Sequence, residues 1–421
     1  VKISLVHYRY FVSSGPERYM FSLTDLLEKL GHEVVPFSVR YRQNEPTPWA
    51  RHFVPPIAGD DEITFRQHSW SPASVRRALE RAFYSREVYD ALSRQLDEAR
   101  PDVALVLCYI RKMSPAVLAA LHDHGVPIVV RFSDFAMVCP QPHMIRDDRV
   151  CELCVRRGLW PSVRHRCVQG SLGASAINAA AMWWGRRRGY FDLVDAFVCP
   201  SDIMRRKMIE GGLPAAKLHH LPTFVRPQEP RPFAERRRRI CFVGRVQTIK
   251  GLDTLLDALE IVQRRGAAGE LETVIAGDAA TPAGEALRAR LAAHPIPGVT
   301  LAGQLGEDEV LGLLQSSMLS VVPSLWYENT PNALLESLAC GTPVIASDLG
   351  SLQEMLAGTG AGLLFPPGDA VALAAALETA FTETDLEDMG RRAHALALGR
   401  HSPDAHLTAL LDLFAALRAD R

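Results

Sequence analysis

Glu328 and Glu336 stand on either side of a helix start, in Pro323-Ser324-Leu325-Trp326-Tyr327-Glu328-Asn329-Thr330-Pro331-Asn332-Ala333-Leu334-Leu335-Glu336. At 1.5 Å rise per residue the two carboxylates lie about a dozen ångströms apart. That is too wide for the acid/base pair of a glycosidase, which needs roughly 5–9.5 Å. It suits two separate hydroxyl anchors on an elongated ligand. By themselves the same two residues also read as a solvated helix position and a surface loop carboxylate. Thr330 is a good N-cap and Pro331 suits the first helical position, where its missing N–H costs nothing. Gly341 then stops the helix, with Pro343 just beyond. The exposed amides from Asn329 to Asn332, at the positive end of that helix, suit a phosphate or a sugar hydroxyl.

A second cluster is Cys139, Cys151, Cys154 and Cys167, with His143 and His165 interspersed. Cys-x2-Cys with a flanking cysteine on each side matches a structural zinc site in ligand type and number. Four cysteines leave no open position, so such a metal would be structural, and no catalytic metal is expected. Arg156, Arg157, Arg164 and Arg166 would offset the charge of the centre. Two disulfides, disfavoured by the lack of an export signal, or four unlinked thiols are the alternatives. Further on, Trp183 and Trp184 sit next to Arg186, Arg187 and Arg188. An aromatic-plus-basic stretch can contact an anionic membrane interface; it reads equally as a helix burying its indoles and solvating its arginines.

The elements that must position these residues follow from the apolar pattern. Strand-like runs occur at Lys2–Val6, Glu33–Val39, Val103–Cys108, Pro127–Phe132, Ala196–Cys199 and Leu218–Leu221. A second series occurs at Ile240–Gly244, Thr273–Ala276, Val299–Ala302, Leu319–Val322, Pro343–Ser347 and Gly362–Phe365. Continuous apolar runs alternating with helical patterns indicate parallel strands buried on both faces, so each series predicts a doubly wound α/β domain. The expected division is 1–221, carrying the cysteine-rich insertion at 139–167, a Pro- and Arg-rich linker at 222–239, a second domain at 240–400, and an amphipathic final helix at 401–421. A chain of 421 residues is comfortable for two such domains. With 48% apolar and 23% charged residues and a net charge of −1, it has the balance of a soluble protein and no electrostatic footprint for nucleic acid. The first residues read as a buried strand and not as a signal peptide, so the expected location is cytoplasmic, with any membrane contact peripheral.

Glu328-x7-Glu336 after Pro-Ser and an aromatic, followed by Ser337-Leu338-Ala339-Cys340-Gly341-Thr342-Pro343-Val344-Ile345-Ala346-Ser347, resembles the signature of retaining GT-B glycosyltransferases of family 4. The resemblance implies two Rossmann-like domains facing across a cleft, with the last helix crossing back to the N-terminal domain. It implies a nucleoside-diphosphate sugar donor, UDP- or GDP-linked, and a hydroxyl acceptor (saccharide, lipid-linked or small molecule), in a monomer or weak oligomer. Glu336 would hold the ribose, Glu328 the donor sugar, and Asn329, Thr330, Pro331 and Asn332 the sugar and phosphate. Phe242-Val243-Gly244-Arg245-Val246-Gln247-Thr248-Ile249-Lys250-Gly251 resembles the turn in which the Arg and Lys, here Arg245 and Lys250, clamp the diphosphate. Their chemistry fits independently, since two fixed cations stabilise a departing diphosphate without a metal; taken alone they also read as surface charges. Gly244, and Gly277 in Ile275-Ala276-Gly277-Asp278, resemble strand ends lining the nucleotide pocket. Gly15 in Ser13-Ser14-Gly15-Pro16-Glu17-Arg18 resembles the loop that approaches the diphosphate from the opposite domain. Many members carry His-Asp at the end of the fourth strand; here the pair is Ser133-Asp134, which retains Asp134 alone. Some relatives have a similar cysteine-rich insertion. A GT-B nucleotide-sugar epimerase, a phosphorylase, or a zinc-stapled interaction protein with a degenerate sugar site are the rival readings.

Overall fold

A computed structural model describes residues 1–61, 71–266 and 271–419. In its first half, β1 (Lys2–His7), β2 (Glu33–Phe37), β3 (Val103–Cys108), β4 (Ile128–Arg131), β7 (Ala196–Cys199) and β8 (Leu218–His220) form one sheet. Its order is β2-β1-β3-β4-β7-β8, with every neighbouring pair parallel. Between β4 and β7 a short antiparallel hairpin, β5 (Ile145–Arg146) and β6 (Arg149–Val150), lies in the cysteine-bearing segment. The second half repeats the plan with β9 (Arg237–Val243), β10 (Glu272–Ala276), β11 (Val299–Gly303), β12 (Ser317–Val322), β13 (Val344–Ser347) and β14 (Gly362–Phe365). They are ordered β11-β10-β9-β12-β13-β14, again parallel throughout. In both sheets the order reverses beside the first strand of the half, so a crevice opens at the carboxyl ends of those strands. The two six-stranded sheets with flanking helices are the pair of Rossmann-like domains of the GT-B fold.

The final helix, Pro403–Ala419, returns to the first sheet. Leu407, Leu410 and Phe414 are buried in one cluster with Ile3, Leu5, Tyr19 and Leu105. Each such side chain contributes about 1.5–3 kcal/mol by leaving water. His406 on this helix bridges Tyr19 Oη, at 2.8 Å, and the Pro222 carbonyl, at 2.7 Å. Burial pushes its pKa down from 6.5 to about 4, against the opposing pull of the Pro222 carbonyl and with a further depression from Arg131. The folded imidazole is neutral while the unfolded one protonates below about 6.5, so its contribution is present above that pH and disappears as pH falls towards 4. Urea denaturation at a series of pH values is expected to show about 3 kcal/mol of stability lost through this group across that window. His406→Asn should flatten the slope; an unchanged slope refutes the assignment.

Two local expectations are corrected. The arginine run ending the expected linker is not all solvated chain: β9 begins at Arg237, and Arg236 is buried, donating to Ser317 O, Cys340 O and Thr342 Oγ1. At the other site, Pro331 and not Thr330 is the N-cap, and the helix starts at Asn332. The Thr330 hydroxyl donates to Asn329 O at 2.8 Å, while Pro331 O accepts from Leu334 and Leu335. On the Leu172–Arg187 helix the two tryptophans split: Trp184 packs against Phe83 and Tyr190, whereas Trp183 stays exposed.

Candidate active site

The second sheet's carboxyl edge is assembled by close backbone approaches. After β9 the chain passes Gly244 and the exposed Arg245 into a 3-10 turn, Thr248–Lys250, that ends on Gly251 with φ +70. A Cβ on Gly251 would fall 1.8 Å from Pro323 O, and Leu325 N donates to Ile249 O at 2.9 Å. Only glycine permits that contact, and it locks the Lys250 turn to the loop after β12. Gly277, after β10, lies in the same way against Gly244 O, where a Cβ would come within 1.8 Å.

Glu328 is the centre of the cluster, 4% exposed. Its Oε1 accepts from Lys250 Nζ at 2.5 Å, Ser324 Oγ at 2.6 Å and Trp326 Nε1 at 2.8 Å. The Lys250 ammonium also lies 5.3 Å from the Trp326 ring centroid. Burial alone would raise the Glu328 pKa; the charge and hydrogen bond of Lys250, with Ser324 and Trp326, bring it below the usual carboxylate value. Glu336 behaves oppositely. Burial raises its pKa, Glu307 adds to the rise, and Arg18 only partly offsets it. Arg18 belongs to the helix Gly15–Lys29 of the first half, and its Nη1 reaches Glu336 Oε1 at 3.3 Å.

That helix starts directly opposite Asn332–Ala339: a Cβ on Gly15 would lie 3.4 Å from Asn332 Nδ2. Two helix N-termini, each with unpaired amides and a positive dipole end, therefore meet across the cleft. Asn329 Nδ2 donates to Phe132 O at 3.3 Å, while Asn329 Oδ1 is buried without a hydrogen-bond partner among the described residues. Asp134 lies one residue beyond Ser133 on the same first-half strand end, but its Oδ1 accepts from Ala136 N at 2.8 Å and so closes a local turn. Burial raises its pKa against the opposing effects of that amide and of Arg111.

The cysteines converge less than their spacing suggests. Cys139 and Cys154 share a thiol–thiol hydrogen bond, which raises the first pKa and lowers the second to about 7. Cys167 is near enough for both Cys151 and Cys154 to raise its own pKa further, after burial. All four are free thiols. Among the described residues no group of three or more His, Cys, Asp or Glu is arranged to hold a metal ion, Cys139, Cys151, Cys154 and Cys167 included.

The segment instead reaches the other half. Glu152 Oε1 accepts from Tyr327 Oη at 2.8 Å and pairs with Lys207 at 2.9 Å. His143 packs its ring edge-to-face on Trp326. Sequence reasoning had not singled out Arg18, Trp326, Ser324 or Glu152 for the site, and had taken His143 only as a neighbour of the cysteines. For Trp326 and Ser324 a signal existed, since both lie within four residues of Glu328.

Both halves of the chain are similar to known proteins. Residues 13–229, more than half of the chain, match the model of "Glycosyltransferase Family 4", and residues 237–383 match "Glycosyl transferases group 1". The chain belongs to glycosyltransferase family 4. It is 29% identical over 191 residues to the amylovoran biosynthesis glycosyltransferase AmsK of Erwinia amylovora, covering 42% of this chain and 45% of that one. It is 27% identical over 219 residues to the alpha-D-kanosaminyltransferase of Streptomyces kanamyceticus, covering 48% and 55%. The chain thus spans about half the length of the curated relatives it matches. In fold it resembles sucrose-phosphate synthase from Thermosynechococcus elongatus, with TM-score 0.71, 16% identity and 100% of both chains covered. It also resembles Anabaena Alr3699/HepE, in a complex with UDP and glucose, with TM-score 0.62, 14% identity and 98% of both chains covered. No described helix is long and apolar enough to cross a membrane.

Proposed function

We propose that the chain transfers a glycosyl group from a nucleoside-diphosphate sugar to an acceptor hydroxyl with retention of anomeric configuration. The observation that carries this reading is the set Lys250, Glu328 and the two opposed helix N-termini at Gly15 and Asn332, gathered at one cleft. Two converging positive dipole ends with Lys250 and Arg245 make a metal-free cradle for a diphosphate. Glu336 is the ribose anchor, set a helix turn or more away from that cradle. All three hydrogen bonds to Glu328 end on Oε1, which leaves Oε2 as the oxygen for a hydroxyl of the transferred sugar. The Asn329–Pro331 loop, with the unpaired Asn329 Oδ1, supplies further polar contacts to that sugar.

In the reaction the acceptor oxygen bonds to the anomeric carbon as the bond to the diphosphate oxygen breaks. The acceptor attacks on the face the diphosphate leaves, and its proton passes to the departing phosphate oxygen. Lys250 and Arg245 stabilise the charge left on that group. No strong protein base is required, which fits a strand end carrying Ser133 and an Asp134 already engaged with Ala136 N. The UDP and UDP-glucose bound in the Anabaena structures support a nucleotide donor.

A thermal-shift panel of UDP, GDP, ADP and TDP, followed by turnover of the matching nucleotide sugars, tests the reading. One diphosphate should stabilise the chain and its sugar should be turned over to an α- or β-product matching the donor. An inverted anomer sinks the retaining step, and no shift with any diphosphate sinks the donor site.

A further inference from the structure

The cysteine-bearing segment belongs to the first half of the molecule, yet it sends one imidazole into the cluster on the second. His143 meets the Trp326 indole edge-to-face, with centroids 4.6 Å apart and ring planes at 86°. The same indole donates to Glu328 at 2.8 Å and lies under the Lys250 ammonium. His143 is therefore one ring away from both groups that define the sugar end of the cleft.

Its turn is pinned, so the placement is built and not incidental. His143 N donates to Gln141 Oε1 at 2.8 Å, Met144 N to Gln141 O at 3.2 Å, and Phe135 N to Pro142 O at 2.9 Å. No described residue hydrogen-bonds either nitrogen of the ring. The charged groups that face it are Arg245, Lys250 and Arg111, opposed by Glu328. Burial first, then Arg245 and the other cations, hold the imidazole neutral, with a pKa near about 4. A neutral imidazole presents one donor and one acceptor, the complement of a hydroxyl. It has no charge to offer a phosphate, and the cations beside it already serve that role.

We propose that His143 is a further sugar-contacting residue, hydrogen-bonding a hydroxyl of the transferred glycosyl group beside Glu328 from the opposite wall of the cleft. This rests on the nucleotide-sugar reading above. It gives the cysteine-bearing segment a part in choosing the donor sugar, because the position of one ring sets which hydroxyl can be met.

The test uses the full chain carrying His143→Phe, His143→Ala or His143→Gln, with UDP or GDP, whichever the wild type binds, and its glucose or mannose conjugate. Phe keeps the ring packed on Trp326 and removes the hydrogen bonds, whereas Gln keeps a donor and an acceptor without the ring. Phe and Ala are expected to lower kcat/KM by about tenfold or more, Gln to recover part of the loss, and the free diphosphate to bind within about twofold of wild type in all three. Wild-type kcat/KM in His143→Phe would reduce the residue to packing and overturn the proposal. Diphosphate affinity falling as far as kcat/KM in the Phe variant would also overturn it, since the contact would then be to phosphate. A Gln variant no better than Phe overturns the hydrogen-bonding role. A wild-type chain that turns over no nucleotide sugar removes the parent reading and this one together.

Discussion

Lys250→Met is expected to lower turnover by about 10²–10³-fold with the nucleoside half of the donor still bound, the scale seen when one preorganised transition-state donor is removed. The Lys250 ammonium sits 2.5 Å from Glu328 Oε1 on a turn locked by the Gly251–Pro323 contact. The same substitution also has a structural cost. Glu328 is buried, and stripping its cation leaves a carboxylate held, among the described residues, by the hydrogen bonds of Ser324 and Trp326. Breaking a buried pair from one side costs about 3–5 kcal/mol. The two effects can be separated. Lys250→Met combined with Glu328→Gln removes the unpaired charge, so denaturation midpoints should recover while turnover does not. Steady-state kinetics and urea unfolding on the wild type and the two variants read both quantities. Wild-type turnover in Lys250→Met would exclude the residue from charge stabilisation.

Parts of this site whose constraints are local were legible in the chain. Strand β3 spans Val103–Cys108, as its unbroken apolar run predicts, because a strand covered on both faces has nothing polar to blur its ends. The glycines at 244, 251 and 277 stand where backbones touch. The glutamates flank a helix start that its own punctuation marks to within one residue. The Pro331 cap was missed because the rule favours a side-chain oxygen at that position, and here Thr330 spends its hydroxyl on Asn329 O. The start of β9 was missed because pattern reading sends arginine to solvent, whereas Arg239 inside that strand is buried and donates to Ser316 Oγ and Ser317 Oγ. The remaining contacts join segments far apart in the chain: Arg18 with Glu336, Glu152 with Tyr327, His143 with Trp326. No periodicity encodes such pairs, since they depend on how one half docks on the other. The cysteines carry a spacing that suggests a centre; the fold brings Cys139 beside Cys154, with no group of three or more ligands arranged for a metal ion among the described residues.

Glu336→Ala is expected to weaken binding of the nucleoside diphosphate by about 10–100-fold, the loss of charge-assisted hydrogen bonds worth about 1.5–3 kcal/mol. The carboxylate projects from the Asn332–Ala339 helix, largely buried, with Arg18 at 3.3 Å as its ion-pair partner. Burial raises its pKa, so the ionised form is held less tightly than that of Glu328 and is the one a diol can stabilise by donating two O–H bonds. Loss of affinity alone would not separate a ribose contact from a helix that has shifted. Calorimetry with the matching 2′,3′-dideoxynucleoside diphosphate makes that separation. If Glu336 holds the ribose hydroxyls, the dideoxy ligand binds the wild type more weakly, and Glu336→Ala costs it little further. An equal penalty for both ligands would place Glu336 away from the ribose and leave its pairing with Arg18, which ties the two halves together across the cleft, as its contribution. At saturating donor, kcat should fall far less than in Lys250→Met, because a ribose contact would be the same in the ground state and the transition state.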